Sequence, residues 1–407
     1  MIQRNILEPG LPLSIAIREL PRHLTLGSVT TGIVAAVFGC TGPALILINS
    51  ALQGHLTPQQ LTSWMFGVYF FGGLISLILS LHYQMPLAGA FSIAGTVMLG
   101  TTLSQVSFKA AIGAYLICGI LMFILGLSGF MGKVMKLLPQ PIVMGMIAGT
   151  LVRFGTGIIT ATHQTPLLGG TTLAGYFITQ RFFKRVPPIF GGLVTGVGLF
   201  LLIGNFDFKF SSSFIWPTVF VPSFEVSTIF SISLPLMVLI LGTENAQAIG
   251  VSNAQGYKAP VNMITSISGL GGIVASFFGA HAAHMAGVMT AICAGPESGP
   301  KEGRYAATVV NGICFMLFGI FSSLAAAFIS ALPTNLISVV AGLSMLGVLT
   351  GAFDQAFRSG KFRSGALFSL LIAMSGLTLL GISASFWALL GGILVSGFIE
   401  TKDFASN

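Results

Sequence analysis

The chain has 407 residues, 54% of them hydrophobic and only 7% charged, with a mean hydropathy of +0.92. A soluble domain carries about 25% charged residues, so this composition excludes an ordinary globular enzyme and indicates a protein that crosses a membrane many times. The net charge of +8 then speaks to topology and not to nucleic-acid binding.

The first 27 residues carry Glu8, Arg18, Glu19 and Arg22 and no continuous apolar run before Leu24, which argues against a cleavable signal peptide. Within them, Leu11 to Arg22 reads as a short amphipathic piece lying along the membrane surface. A crossing helix needs about 20 apolar residues. In chain order, crossings are expected at 28–53 and 64–81, at a short stretch 86–100, and at 110–131 and 141–161. Two short stretches, 165–180 and 188–204, close the first half. The second half reads as 229–251, 258–278, a short stretch 284–295, then 306–331, 334–353, 364–382 and a short stretch 384–399. That makes fourteen. Glycine, 52 of 407 residues against an average of about 7%, suits close-packed and broken helices.

Charge placement supports the count. With fourteen crossings and the N-terminus inside, the cytoplasmic segments hold Arg4, Arg18, Arg22, Lys133, Lys136, Arg181, Lys184, Arg185, Lys258, Lys301, Arg304, Arg358, Lys361, Arg363 and Lys402. Only Lys109 and Lys209 fall outside, as the positive-inside rule demands, and Arg153 lies within a crossing. The domains expected are a cytoplasmic segment 1–27, a seven-span repeat 28–215, a second repeat 216–399 and a cytoplasmic tail 400–407. A faint internal echo agrees: Ile117-Cys118, Leu138-Pro139 and Ala148-Gly149 are followed in the second half by Ile313-Cys314, Leu332-Pro333 and Ala341-Gly342. Seven crossings per half force the halves into opposite orientation, the inverted-repeat plan in which paired short, broken spans mark the binding site. The short stretches 86–100 and 284–295 are third in each half.

Span three, Met85-Pro-Leu-Ala-Gly-Ala-Phe-Ser-Ile-Ala-Gly-Thr96, favours an extended start, with Phe91 and Ser92 where a half-helix begins. Span ten, Phe278-Gly-Ala-His-Ala-Ala-His-Met-Ala-Gly287, reads the same way. Two half-helix N-termini meeting at the midplane would bind an anionic group without Arg or Lys; the alternative is two short helices packed through small residues. His281 and His284 stand one turn apart if helical. They lack a third ligand nearby for a metal, and either brace the interior or contact substrate.

Glu244 is the one carboxylate inside a hydrophobic span, where it costs at least ~2.5–3.5 kcal/mol and by default marks a pathway or proton site. Asn245 flanks it and Gln247 lies at i+3, and burial there disfavours the charged form, as proton binding and release require. The other reading is a carboxylate that only braces a neighbouring helix. Arg153, about 18 Å along its helix from Pro141 at 1.5 Å per residue, is either its partner or a residue reaching to the outer interface, and the second is preferred. Cys40, Cys118, Cys293 and Cys314 read as small core residues. No nucleophile elbow, zinc-binding helix, Walker loop or dinucleotide fingerprint occurs, so neither catalysis nor a cofactor or metal is expected.

Several passages resemble the BenE-type benzoate:proton symporter family. They are Ser63-Trp64, Ser80-Leu-His-Tyr83-Gln-Met-Pro86, Gly256-Tyr257-Lys-Ala-Pro260, Gly279-Ala-His281-Ala, Ala291-Ile-Cys-Ala-Gly-Pro-Glu297, Arg304-Tyr305-Ala, Leu332-Pro333 and Ala341-Gly342-Leu343. The resemblance implies an architecture similar to the nucleobase and sulfate transporters, with core and gate domains moving in an elevator-like way. It implies substrate contacts from Ala90, Phe91 and Ser92, from His281 to Met285 including His284, from Asn245 beside Glu244, and from Cys40 and Thr41. Three segments depart from the family's pattern. Phe91-Ser-Ile-Ala-Gly95 replaces a Trp-Ser-Thr-Pro-Gly run, Glu244 replaces Gln, and His284 replaces Asn. An acid beside the site would favour a neutral or cationic cargo, or supply a proton carrier that relatives provide otherwise.

The expectation is therefore an all-α, fourteen-span protein of the bacterial inner membrane with both termini cytoplasmic. It would carry a small aromatic or carboxylate substrate with protons, Glu244 being the proton-coupling group. Its partners are that substrate, protons and the lipid bilayer, not nucleic acid, and a homodimer is left open. The rivals are a uniporter or anion exchanger with a structural Glu244, and a membrane receptor.

Overall fold

The computed structural model describes residues 7–130, 139–183, 188–203, 214–330, 332–377, 379 and 384–405. Arg4, Lys133, Lys136, Lys184, Arg185 and Lys209 of the charge pattern, and Leu138 of the internal echo, lie outside the described residues.

The surface piece expected at Leu11 to Arg22 is α1 (Leu13–His23). Helix α2 (Leu26–Gln53) opens on a capping box of Thr25 and Ser28, and α3 (Pro58–Tyr83) on one of Thr57 and Gln60 with Pro58 in the first turn. Helix α3 stops where Gln84 turns left-handed at φ 48°. The chain then runs extended through β1 (Gly89–Ala90) into α4 (Ile93–Thr102), followed by α5 (Phe108–Ser128), α6 (Gln140–Gln164), α7 (Pro166–Phe182) and α8 (Pro188–Ile203). The second half starts with α9 (Val226–Asn253), interrupted by two π-helical stretches, Ile229–Ser233 and Ile240–Asn245. It continues with α10 (Val261–Ser276), β2 (His284–Met285), α11 (Gly287–Cys293), α12 (Tyr305–Ile320), α13 (Ser322–Ser330), α14 (Thr334–Phe357), α15 (Arg363–Ser375), α16 (Ala384–Ile399) and the short α17 (Thr401–Ala405).

Among the described residues, seven helices are long and apolar enough to cross a membrane unaided, and five shorter apolar ones accompany them. Two expected spans are reshaped. The stretch 306–331 divides at Phe321 into α12 and α13, where the Ser322 hydroxyl donates to the Thr62 carbonyl at 3.1 Å. The stretch 364–382 ends as a helix at Ser375, because Gly376 turns left-handed at φ 68°.

The helices pack in two groups. In one, α5 lies along α10, and α3 and α2 lie against α12, with α4, α9 and α11 between them; in the other, α14 and α15 lie on α6, α16 on α15, and α7 on α8. The groups meet chiefly where α2 lies against α14, and also where α4 touches α6 and α9 touches α16. Glycines set the close approaches in the first group: a Cβ at Gly119 of α5 would sit 2.9 Å from the Gly269 carbonyl of α10. The outer surface is apolar, with Leu26 82%, Leu202 85% and Phe398 88% exposed, a surface suited to lipid and costly in water.

Candidate functional site

Helix α4 has ten residues and spans about 15 Å at 1.5 Å per residue, half of a hydrocarbon core of about 30 Å. It begins inside the protein, where β1 crosses β2 as an antiparallel pair, Gly89 opposite Met285 and Ala90 opposite His284. Unpaired backbone groups are not tolerated at such depth, and side chains satisfy them here. Gly89 N–H donates to Ser76 Oγ at 3.1 Å, Leu87 N–H to Ser80 Oγ at 3.3 Å and Ala88 N–H to Thr290 Oγ1 at 3.1 Å. Ala286 N–H closes the ribbon on the Ala88 carbonyl at 2.8 Å. Only glycine fits at position 89, since a Cβ there would collide with the Gly72 carbonyl of α3.

The ribbon fixes where α4 starts. Ser92 is its N-cap and accepts from Gly95 N–H at 2.9 Å. The same hydroxyl donates to Glu244 Oε1 at 3.3 Å, and the Ile93 N–H also faces that carboxylate. Glu244, half-buried, reaches the positive end of α4 from a π-helical stretch of α9, an irregularity that redirects side chains and is frequent at functional sites. Its neighbour Asn245, fully buried, braces the other strand: Oδ1 accepts from Met285 N–H at 3.1 Å and Nδ2 donates to Ser268 Oγ at 3.2 Å.

His281 completes the cluster. The Trp64 indole N–H donates to its Nδ1 at 3.0 Å, and an indole can only donate, so Nδ1 is the bare nitrogen. Nε2 therefore carries the hydrogen and donates to the Ser92 carbonyl at 2.9 Å. Thr96 Oγ1 donates to the same carbonyl at 2.8 Å. A neutral imidazole thus holds the N-cap residue from behind while Glu244 faces it from in front. Phe91 is buried between the ring of Tyr69, at 5.1 Å between centroids, and that of His281, at 6.0 Å.

Of the residues expected at the site, Ala90, Phe91, Ser92, Glu244, Asn245, His281, His284 and Met285 come together here. His281 and His284 are not a helical turn apart, because pairing with Gly89 and Ala90 holds that stretch extended. His284 Nδ1 lies 2.8 Å from the Met285 carbonyl, and buried Nε2 has no hydrogen-bond partner among the described residues. Gln247 packs against Gly287 at the start of α11. Cys40, half-buried, stands on α2 near Tyr69, whose hydroxyl donates to the Gly39 carbonyl at 3.0 Å. Thr41 spends its hydroxyl on the Val37 carbonyl of its own helix at 2.9 Å. Arg153 forms no ion pair with Glu244; its Nη2 donates to the Met374 carbonyl at 3.4 Å. The sequence reading missed Trp64, Ser76, Ser80, Thr96 and Thr290 as site residues; a run of serines at i and i+4 on α3 was the available signal for two of them.

The sequence matches the BenE family, described as benzoate membrane transport protein, over residues 22–398. It is 28% identical to the benzoate membrane transport protein of Acinetobacter baylyi over 400 residues, covering 97% of this chain and 100% of that one. It is 30% identical to the inner membrane protein YdcO of Escherichia coli over 369 residues, covering 90% of this chain and 94% of that one. The fold is similar to the transmembrane domain of a cyanobacterium bicarbonate transporter, BicA, with a TM-score of 0.61, 14% identity, and coverage of 91% of this chain and 98% of that one.

Proposed function

Because the chain belongs to the benzoate membrane transport protein family, a family of membrane transporters and not of enzymes, we propose that it is a proton-coupled symporter of a small aromatic or carboxylate compound, benzoate being the first candidate. It resides in the bacterial inner membrane with both termini cytoplasmic, and its fourteen crossings form two inverted seven-span repeats. Supporting this topology are the charge bias and two broken spans that meet as antiparallel strands at matching places in the two halves. The two packing groups serve as core and gate, and the core, which carries the ribbon, slides past the gate.

One observation carries the reading: Glu244 meets Ser92 at the N-cap of α4. A carboxylate there occupies the place an anionic substrate would take. Protonation from the outside removes that charge and leaves the Ser92 hydroxyl and the helix end available to the substrate carboxylate. Phe91, backed by Tyr69 and His281, packs the substrate's ring, with His284 and Met285 on the opposite strand. Inside, loss of the proton restores the Glu244 carboxylate, which displaces the substrate anion.

The test is benzoate uptake by proteoliposomes under an imposed inward proton gradient. Accumulation above the equilibrium level is expected. Uptake indifferent to the gradient would make Glu244 a brace in a uniporter or exchanger, and binding without uptake would make the protein a receptor.

A further inference from the structure

A cavity of about 260 Å³ lies where the C-terminal ends of α2 and α4 face α6, the end of α15 and the start of α16. Gln53, Thr101, Gln105, Thr150 and Ser385 give it polar walls, and among the described residues Arg153 is the one charged residue on it. A tight apolar seam shares Thr150 and Ser385 with this cavity. The seam reaches Ala94, two residues past Ser92, and Leu239, five residues before Glu244. The seam has no room for a water molecule, so packed side chains separate the cavity from the approach to the ribbon in this conformation.

Apart from Lys258 at the first residue of its span, Arg153 is the only Lys or Arg within an expected crossing. Arg153 is exposed, and its guanidinium lines the cavity beside Gly376 at the end of α15. Its hydrogen bond among the described residues is the one long contact with Met374, and no described carboxylate lies within ion-pair distance. A guanidinium carries five donors in a planar fork that matches a carboxylate. We infer that the Arg153 cavity is an outer waiting site that binds a small monocarboxylate by that fork before the carboxylate moves on toward Ser92. The inference rests on the transport reading above for the side and the cargo. The rival is that Arg153 only caps the C-terminal end of α15.

The test places a cysteine at Thr101 on the cavity wall and compares it with the parent chain, in intact cells, using two thiosulfonate reagents, one anionic (sulfonatoethyl) and one cationic (trimethylammonioethyl). The anionic reagent is expected to react roughly tenfold faster or more, and benzoate to slow it. Arg153→Gln should bring the two rates together, abolish protection by benzoate and raise the KM for benzoate uptake about tenfold with kcat retained, the loss of a charge-assisted pair. Arg153→Lys should keep the reagent preference but not the KM, which separates charge from fork. Equal rates in the presence of Arg153, or an Arg153→Gln variant with unchanged preference and KM, overturns the inference. Absence of benzoate uptake in the native chain, with the Arg153-dependent preference intact, sinks the cargo reading while the cavity stands as an anion site.

Discussion

The two broken spans share an architecture and differ in chemistry. Helix α4 starts at Ser92, is capped by that side chain and is faced by Glu244. Helix α11 starts after Ala286, has no side-chain cap and carries the Gln247 side chain pressed against Gly287. The strands feeding them are tightly held on both sides, but the first is fixed by backbone proximity to α3 and the second by the Asn245 amide. A scaffold that looks paired thus sets a carboxylate at the start of one half-helix and an amide packed against glycine at the start of the other.

The largest expected effect separates the two strands. Gly89→Ala drives a Cβ into the Gly72 carbonyl, which is backbone and cannot swing away, so the variant should lose about 3 kcal/mol or fail to fold; a native Tm would show that β1 does not lie against α3. Next comes Ser92→Ala. It removes the cap of α4 and a hydrogen bond to a carboxylate, together about 2 kcal/mol, and it should shift the pH profile of uptake, whereas loss of stability with an unshifted profile would reduce Ser92 to a cap. Gly287→Ala meets the Gln247 side chain first, so a loss of about 1 kcal/mol is expected, relieved by adding Gln247→Ala. If the double variant is no better than the single one, Gln247 is not what fills that space.

The smallest effect concerns a carboxylate at a helix start outside the membrane. Partial burial pushes Glu400 up, but donation from the Ser396 hydroxyl and from the Ser364 and Gly365 N–H groups at the start of α15 outweighs it and holds the carboxyl below its ordinary value. A depressed carboxyl contributes stability that is present above its unfolded value and fades as pH falls through the folded one. Native protein should therefore lose stability as pH falls through the acidic range, while Glu400→Gln, less stable at neutral pH, should show a flatter curve there in pH-dependent thermal unfolding; parallel curves would remove the Glu400 contribution.

The sequence carried much of this in its composition and spacing. A single acid in an apolar run singled out Glu244, and small residues with Pro86 before Phe91 announced an interrupted span. Other features depend on distance across the fold. Nothing near His281 in sequence identifies Trp64 as its donor, and the ribbon that holds residues 281 and 284 extended requires Gly89 and Ala90 from the other half. The π-helical stretch that turns Glu244 toward Ser92 and Gln247 toward Gly287 left no pattern a regular helical period could reveal. Arg153 was visible, but the cavity it faces is made by five separate helices.

The most direct measurement compares native protein and Glu244→Gln in proteoliposomes, following benzoate accumulation under an inward proton gradient alongside benzoate exchange at equal pH. Glu244→Gln is expected to lose gradient-driven accumulation by tenfold or more, on the order of 1.4 kcal/mol of coupling, while exchange continues. Undiminished accumulation by Glu244→Gln would contradict it.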